Sequence, residues 1–377
     1  MRILVVAGAR PNFVKVAPLM EALGRRAGVD ARLVHTGQHY DEAMSAAFFA
    51  DLALPAPDVF LGVGSGSQAE QTARILSAFE KVLCEMVPAA VVVVGDVNST
   101  LACALAAAKC EIPVVHVEAG LRSFDRTMPE EINRVLTDAL ADYLFTPSGD
   151  ADENLLREGA PTERVFRVGN VMVDTLRRYE ATARARGIPG RFGLQPRRYA
   201  VCTLHRPSNV DEPHTFRGIL RALSTLQEEC PILFPVHPRT RKQLDSFGMA
   251  EVLLPQRGLN VVQPLGYLDF LGLLADAALV LTDSGGVQEE TTVLGVPCLT
   301  LRHETERPVT VTHGTNLVVG TDPERILATA RRTLAGERPQ GQIPEGWDGH
   351  AAERIATILC AETPSRAVRR PKMCRRT

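Results

Sequence analysis

Carboxylate side chains stand directly after two of the apolar runs in this sequence. Asp96 follows "VVVV" and Glu118 follows "PVVHV", while Glu130 lies a little further on in "MPEEINR". If the two runs are neighbouring strands, Asp96 and Glu118 face the same crevice. Grouped carboxylates raise one another's proton affinity, so this set is suited to general acid and base chemistry near neutral pH. Helix capping and ion pairing with Arg122 or Arg134 is the alternative interpretation.

Cationic and imidazole side chains occupy similar places. Arg10 and Lys15 follow the first apolar run in "GARPNFVK", where a helix would begin. Cations at a helix N-terminus oppose the helix dipole, and a bound anion would relieve this, although solvated surface charge is the alternative. Further candidates follow apolar runs of the second half, namely His205, His237, Arg302, His303 and Arg307. Together these positions suit a small, multiply charged anion such as a nucleotide diphosphate.

The stretch "LVLTDSGGVQEETTVLGVPCLTLR" combines a strand pattern with a helix start. Its first apolar run suits a strand buried on both faces, and Asp283 or Ser284 can cap the following helix. The two glycines place bare backbone N–H groups at the helix N-terminus, where unpaired amides and the helix dipole favour an anion. An ordinary capped helix with two early glutamates is the alternative.

Strand-like runs alternate with helical runs throughout the chain. The first half contains "RILVVAG", "DARLVHT", "AAVVVVGD", "IPVVHVEA", "DYLFTPS" and "RVFRVGN", and the second half contains "YAVCTLH", "PILFPVH", "LNVVQPL", "AALVLTD", "PCLTLR" and "NLVVG". Alternation of this kind predicts parallel sheets covered by helices on both faces. Two sets of strands predict two Rossmann-like, doubly wound α/β domains facing a cleft, with the substrate at the carboxyl ends of the strands.

The break between the domains is expected near "GNVMVDTLRRYEATARARGIPGRFG", where a helix leads into a Pro- and Gly-rich segment. We predict an N-terminal domain over residues 1–169, which carries the carboxylates, and a C-terminal nucleotide-binding domain over residues 170–349. A helix at 350–362 is expected to join the first domain. The basic segment 363–377 lacks apolar periodicity, so it is predicted to be disordered.

Composition excludes several classes of function. The chain has 377 residues, 45% of them hydrophobic, and a net charge of −2. This near-neutral balance argues against broad nucleic-acid binding, and no apolar run reaches the ~20 residues of a membrane span. The start "MRILVVAGARPNF" is typical of a first strand rather than a signal peptide. The eight cysteines form no CxxC pair, so we expect reduced core thiols in a cytosolic protein and no zinc site.

Nine motifs in order carry a resemblance to a known family. They are "GARPNFVK", "HTGQHYD", "GDVNST", "HVEAGLRS", "MPEEINR", "HRPSN", "HPRT", "DSGGVQEE" and "TERP". With them the chain resembles the non-hydrolysing UDP-N-acetylglucosamine 2-epimerases from Arg2 to about Cys360. The resemblance implies a fold shared with GT-B glycosyltransferases, a cytoplasmic homodimer and a UDP-sugar substrate. It also implies interconversion of UDP-N-acetylglucosamine and UDP-N-acetylmannosamine, without NAD, metal or other cofactor, by elimination of UDP to 2-acetamidoglucal and re-addition.

The resemblance also implies roles for individual residues. The positions that match the catalytic group are Asp96, Glu118, Glu130 and His205. The positions that match UDP-sugar contacts are Ser284, Gly285 and Gly286 at the diphosphate, Glu290 at the ribose, Phe270 at the uracil, and Arg10, Lys15, His237 and Arg307 elsewhere in the site. Glu289 is expected to be structural, and the assignment of carboxylates to the two faces of the sugar stays open.

Two departures from the family pattern affect specificity and regulation. "TGQHYD" and "GSGSQAEQT" differ from the pattern of an allosteric substrate site, so we expect allosteric activation to be absent or altered. "GLRSFDRTMPEEINR" is shorter than in many members and resembles relatives acting on diacetamido-uronic acid nucleotides.

Several alternative functions stay open. They are an epimerase of such a diacetamido-uronic acid nucleotide, a hydrolysing epimerase that releases N-acetylmannosamine, a GT-B glycosyltransferase, and a catalytically silent nucleotide-sugar sensor.

Overall fold

Parallel strands separated by helices form two sheets along this chain. A computed structural model describes residues 1–38, 48–249 and 259–362, apart from the side chains of Arg10, Leu259 and Glu362. Unit 1 comprises Met1–Thr175 together with the segment that begins at Glu345, and unit 2 comprises Leu176–Pro344. The expected basic tail at 363–377 lies outside the described residues.

Unit 1 contains a seven-stranded parallel sheet in the order β3-β2-β1-β4-β5-β6-β7. Its strands are β1 (Arg2–Ala7), β2 (Asp30–His35), β3 (Val59–Phe60), β4 (Ala90–Val94), β5 (Val114–Val117), β6 (Tyr143–Thr146) and β7 (Val165–Arg167). All five residues of β4 are buried, as expected for a strand covered on both faces. The order reverses between β1 and β4, and such a reversal opens a crevice at the carboxyl ends of the strands.

The helices of unit 1 connect these strands and carry the first residues of the expected site. They are α1 (Arg10–Gly24), α2 (Gln68–Met86), α3 (Asn98–Lys109), α4 (Pro129–Leu140), α5 (Gly149–Arg157), α6 (Val171–Ala185), which runs into unit 2, and α15 (Ala351–Glu362). The helix α15 corresponds to the helix expected near 350–362. Its Thr357 hydroxyl accepts a 2.7 Å hydrogen bond from the guanidinium of Arg26, which lies just beyond the end of α1.

Unit 2 contains a six-stranded parallel sheet in the order β10-β9-β8-β11-β12-β13. Its strands are β8 (Ala200–Thr203), β9 (Ile232–Pro235), β10 (Leu259–Val262), β11 (Leu279–Thr282), β12 (Cys298–Thr300) and β13 (Asn316–Val318). Its helices are α7 (Ile188–Arg191), α8 (Pro207–Val210), α9 (Pro213–Leu226), α10 (Pro238–Ser246), α11 (Tyr267–Ala275), α12 (Gly285–Leu294), α13 (Pro308–Thr312) and α14 (Pro323–Leu334). The predicted fold of two doubly wound α/β halves is confirmed.

The thiols differ from the expectation at one position. Cys103, Cys110, Cys202, Cys230 and Cys298 are free and buried, as expected of core residues. Cys84 is disulfide-bonded, so the prediction of reduced thiols is wrong for that residue. Within the described ranges, no helix is long and apolar enough to cross a membrane, and no cluster of three His, Cys, Asp or Glu side chains could hold a metal ion.

Candidate active site

The carboxylates of unit 1 follow adjacent strands of its sheet. Asp96 comes two residues after β4 and Glu118 directly after β5, and these strands are hydrogen-bonded neighbours. The expectation that the two runs are neighbouring strands is therefore confirmed. Gly95 and Glu118 both adopt left-handed backbone conformations, with φ of 71° and 73°. Such a conformation is uncommon for a non-glycine residue, so the turn at Glu118 is held by its surroundings.

Lys15 and Glu118 form a buried ion pair. Their side chains are only 10% and 6% exposed. A Cβ atom added to Gly95 would lie 3.5 Å from the Lys15 Nζ and 3.8 Å from a Glu118 carboxylate oxygen, so the glycine lets the backbone pass close to the pair. Asn12 stabilises the start of α1 by accepting from the backbone N–H groups of Gly8 and Ala9. Lys15 is thus directed at Glu118 from the first turns of α1.

Asp96 and Glu130 lie in different environments. Asp96 pairs with the buried guanidinium of Arg134 and keeps a quarter of its side chain exposed. Glu130 is half-buried on α4 and makes no hydrogen bond or ion pair with another described residue. The neighbouring Glu131 is buried and accepts from the Ser123 backbone N–H at 2.9 Å and from Arg134 at 2.7 Å. Glu131 therefore holds the loop after β5, while Glu130 is available to a ligand.

Arg10 is the first residue of α1, and its side chain lies outside the described part of the structure. Of the "TGQHYD" segment, Gln38 is described, whereas His39, Tyr40 and Asp41 are not. The Gln38 side chain accepts from the Ser99 backbone N–H at 3.0 Å, and Gln71 of the "GSGSQAEQT" segment donates to the Gln38 backbone oxygen at 3.1 Å. The two departing segments are therefore joined to each other.

In unit 2, helix α12 begins without a side-chain cap. Ser284 occupies the N-cap position, but its hydroxyl accepts no bond from the first turn. Asp283, the other expected cap, is completely buried and instead accepts from the backbone N–H groups of His205 and Arg206, at 3.0 and 2.9 Å. The prediction of an Asp283 cap is therefore wrong. The helix start that contains Gly285 and Gly286 retains the unpaired amides of an anion site.

The Arg307 guanidinium lies beside this helix start. A Cβ atom added to Gly285 would be 3.6 Å from the Arg307 Cζ. The Nε of Arg307 donates to the Glu289 carboxylate at 2.6 Å, and both side chains are almost fully buried. Glu289 has the structural role expected of it, since it fixes the guanidinium plane next to the glycines.

Glu290 is a buried carboxyl group one turn inside α12. Burial raises its pKa to about 8, and the charge of Glu289 adds to this, while a hydrogen bond from the Tyr267 hydroxyl opposes it. Tyr267 and the half-buried Phe270 both belong to α11, which lies against α12. The residues expected at the ribose and the uracil therefore come from two packed helices of one unit.

Two of the histidines of unit 2, His205 and His237, come together after the ends of β8 and β9. The ring centroids of His205 and His237 are 5.8 Å apart. His205 Nδ1 lies 2.9 Å from a carboxylate oxygen of Asp283. Burial raises the pKa of Asp283, but His205 and the two backbone N–H donors outweigh it and hold that pKa below its ordinary value. His237 caps α10, accepting from the Arg239 N–H, and its side chain is exposed.

The expected convergence of cations after β12 differs from the observed arrangement. Glu306 is buried between two arginines, accepting from Arg302 at 2.7 Å and from Arg206 at 3.2 Å. These two guanidiniums are therefore neutralised inside the unit rather than presented as an anion cluster. His303 is exposed and lies beside Gly320. Within this segment, Arg307 is the cation that stands at the α12 start.

Sequence reasoning missed a buried polar network behind the carboxylates of unit 1. His116 on β5 contacts Asp138 on α4, and Arg122 contacts both Asp138 and Glu158. The signal was present in the sequence, because His116 is a polar residue within the apolar run "PVVHV". Such a residue needs hydrogen-bond partners inside the core.

Comparison with known proteins identifies the family of this chain. The family model described as UDP-N-acetylglucosamine 2-epimerase matches residues 21–360. The UDP-N-acetylglucosamine 2-epimerase of Methanocaldococcus jannaschii is 43% identical, covering 95% of this chain and 99% of the relative. Its crystal structure in complex with UDP-GlcNAc and UDP superposes with a TM-score of 0.90, covering 96% of this chain and 100% of that chain. The UDP-2,3-diacetamido-2,3-dideoxy-D-glucuronate 2-epimerase of Pseudomonas aeruginosa is 40% identical, covering 95% of this chain and 99% of that relative. The chain belongs to the UDP-N-acetylglucosamine 2-epimerase family.

Proposed function

We propose that this protein is a non-hydrolysing UDP-N-acetylglucosamine 2-epimerase, which interconverts UDP-N-acetylglucosamine and UDP-N-acetylmannosamine without NAD or metal. The supporting observation is that unit 1 places carboxylates after adjacent strands while unit 2 places an uncapped helix start beside Arg307. The first set suits proton transfer at a sugar carbon, and the second suits a nucleoside diphosphate. The 43% identical relative carries the same activity in its name.

Unit 2 is assigned the nucleotide. The amides of Gly285 and Gly286 donate to the diphosphate, next to Ser284, and Arg307 adds a positive charge that Glu289 holds in place. Glu290 accepts from the ribose hydroxyls, and Phe270 contacts the uracil. His237 and Arg10 are assigned further contacts with the UDP moiety. The glycine amides and the Arg307 guanidinium supply donors where the leaving diphosphate gains negative charge, which is where donors lower the barrier most.

Unit 1 is assigned the chemistry at C2. A carboxylate among Asp96, Glu118 and Glu130 takes the C2 proton as the C1–O bond breaks and its electron pair leaves with UDP. The product is 2-acetamidoglucal, and re-addition of UDP with a proton delivered to the other face of C2 gives the epimer. Lys15 compensates the buried charge of Glu118. His205 is assigned to the catalytic group together with the three carboxylates. A placed base is needed because the C2 proton is only weakly acidic.

Proton NMR of the purified protein with UDP-N-acetylglucosamine in deuterated water, without added cofactor, tests the proposal. We expect UDP-N-acetylmannosamine with deuterium at C2. Accumulation of free N-acetylmannosamine and UDP would identify a hydrolysing enzyme instead. An Asp96→Asn protein is the matched control, because it should lose deuterium exchange while calorimetry still detects UDP binding. A transferase would not require Asp96 for its reaction, and a sensor would bind UDP without any exchange in the wild-type protein.

A related substrate is the second candidate. The Pseudomonas aeruginosa relative named for UDP-2,3-diacetamido-2,3-dideoxy-D-glucuronate is nearly as similar in sequence as the Methanocaldococcus jannaschii relative. This similarity agrees with the short "GLRSFDRTMPEEINR" segment. The same NMR assay with that nucleotide sugar separates the candidates. Faster C2 exchange on the diacetamido sugar than on UDP-N-acetylglucosamine would reassign the substrate and leave the reaction type unchanged.

We also propose a cytoplasmic homodimer. Ile132, Val135 and Leu136 form an exposed apolar face on α4, each at least 40% exposed, and such faces mark protein contacts. Five buried free thiols in the described part of the chain are usual for a reducing compartment, whereas the disulfide at Cys84 is not. Sedimentation equilibrium tests the dimer, with Ile132→Glu as the variant expected to dissociate. A monomeric wild-type protein at micromolar concentration would contradict it.

A further inference from the structure

The side chain of His116 joins two loops that carry the carboxylates of unit 1. It is completely buried at the end of β5, two residues before Glu118. Its Nε2 lies 2.9 Å from the backbone oxygen of Gly95, the residue before Asp96. Its Nδ1 lies 2.6 Å from a carboxylate oxygen of Asp138 on α4. A single imidazole thus connects the end of β4, the end of β5 and helix α4.

The hydrogen-bond partners of this ring have different chemical roles. A backbone carbonyl only accepts, so Nε2 carries a hydrogen. On the other side of the ring, burial raises the pKa of Asp138, but His116 and Arg122 outweigh burial and hold that pKa below its ordinary value. The buried Asp138 carboxylate is therefore held between the His116 ring, the Gly120 backbone N–H and the Arg122 guanidinium.

Asp138 extends the connection beyond Glu118. Its second oxygen accepts from the backbone N–H of Gly120 at 3.1 Å and contacts the Arg122 guanidinium at 2.7 Å. Arg122 in turn pairs with Glu158, at 2.7 Å. Charged side chains of alternating sign therefore run from Asp138 through Arg122 to the partly exposed Glu158, and the buried charges of Asp138 and Arg122 each have a partner of opposite sign.

These contacts restrain the two turns on which the proposed chemistry depends. Gly95 and Glu118 both have positive φ values, and a Cβ atom on Gly95 would nearly touch the Lys15–Glu118 pair. The bond from His116 holds the Gly95 peptide, and the bond from Gly120 to Asp138 holds the backbone after Glu118. Left-handed turns persist only where their surroundings hold them, and this pair of side chains supplies two of the restraints.

We propose that His116 and Asp138 are positioning residues that orient Asp96 and Glu118 for proton transfer, an inference that rests on the epimerase function proposed above. Neither side chain touches the substrate. They act by holding the backbone at Gly95 and Gly120, so their loss misplaces both carboxylates at once. Misplacement by about 1 Å can lower a rate by about 100-fold while ligands bound elsewhere are unaffected.

The test compares three variants in the deuterium-exchange assay with UDP-N-acetylglucosamine. His116→Phe keeps an aromatic ring of similar size but loses both bonds, and kcat is expected to fall by about 100-fold with the Kd for UDP within about twofold. His116→Gln can still donate to Gly95, so it is expected to recover about a tenth of the wild-type rate or more. Trp347→Phe is the control, because it removes a buried 2.9 Å bond to the Pro147 oxygen in the same unit without touching these loops.

Several results would overturn the inference. One is a His116→Phe protein with a kcat within about threefold of wild type. Another is a His116→Phe protein that loses deuterium exchange and UDP binding in parallel, because that result indicates general unfolding. If His116→Phe does not fold, Asp138→Asn takes its place with the same expectation. Nitrogen-15 NMR of the histidine ring in wild-type protein is independent of activity: a hydrogen on Nε2, bonded to the Gly95 oxygen, is expected, and an Nε2 without a hydrogen would overturn the inference. Wild-type protein without exchange on any UDP-sugar would instead refute the proposed function.

Discussion

In the proposed site, the buried carboxyl group of Glu290 should make UDP binding dependent on pH, in a direction that can be calculated. In the free protein its pKa is about 8, because burial disfavours the charged form and Glu289 adds a nearby negative charge. Ribose hydroxyls donate hydrogen bonds, and an ionised carboxylate accepts them better than a protonated one. Binding of UDP therefore favours loss of the Glu290 proton. The affinity should rise with pH until this group is ionised in the free protein.

The magnitude follows from the pKa of the free protein. At pH 7 about one-tenth of the molecules carry an ionised Glu290, and at pH 9 about nine-tenths do, so affinity for UDP should rise about tenfold, or about 1.4 kcal/mol. The phosphates of UDP are largely ionised across this range and contribute little slope. Titration calorimetry in two buffers with different ionisation enthalpies should also report nearly one proton released per UDP at pH 7 and little release at pH 9.

Two variants test whether Glu290 causes the pH dependence of UDP affinity. Glu290→Gln cannot titrate, so its UDP affinity should be lower and flat over the same range. Tyr267→Phe removes the hydrogen bond that lowers the pKa of Glu290, so the rise in affinity should move to higher pH. A tenfold rise that persists in Glu290→Gln would refute the reasoning, because another group would then supply the slope. A flat profile in the wild-type protein would show that Glu290 does not change its ionisation on binding.

Three further predictions concern the buried ion pairs and the same carboxyl group. Arg307→Lys should weaken UDP binding by about 1–3 kcal/mol in calorimetry, because a lysine cannot reproduce the oriented bond to Glu289; an unchanged Kd would remove Arg307 from the site. Lys15→Met should reduce kcat for C2 exchange by about 100-fold or more, since it removes the ammonium group that compensates the buried Glu118 carboxylate, and a normal rate would show that the pair is not needed. Glu290→Gln should raise the melting temperature of ligand-free protein at pH 9 more than at pH 6. A carboxyl group whose pKa is raised from 4.5 to about 8 on folding lowers the free energy of unfolding progressively between those pH values, and the loss is complete above about 8. Equal shifts at both pH values would contradict this.

The sheets could be predicted from the sequence because their strands are continuous apolar runs. The valines of β4 are buried on both faces, and such runs admit few other interpretations. The strand β3 was missed, since it contains only Val59 and Phe60 and Phe60 is half exposed. A pair of residues with one exposed side chain carries no periodic signal. Its place at the edge of the sheet depends on pairing with β2 rather than on its own composition.

The positions of candidate residues were predictable, but their partners were not. Both Asp283 and Ser284 follow β11 and both are good caps by residue type. Asp283 contacts the backbone of His205 because β8 and β11 are paired in the sheet, which brings together residues 78 positions apart. Likewise Arg302 and Arg307 look equivalent in the sequence, yet Arg302 joins Glu306 and Arg307 joins Glu289. The partner of each side chain depends on tertiary contacts, and local sequence patterns carry no information about these contacts.

The pairing of these arginines explains how a chain with a net charge of −2 can be suited to a dianionic ligand. Arg307 is held by Glu289, and Lys15 by Glu118, so each cation has a fixed direction and a compensated charge before any ligand arrives. A buried, paired guanidinium attracts a diphosphate less from a distance than an exposed one would. It also needs little reorganisation when charge develops on the leaving group, and preorganised dipoles and charges act most strongly at that stage. The arrangement therefore favours stabilisation of the separating UDP over capture of the intact nucleotide sugar.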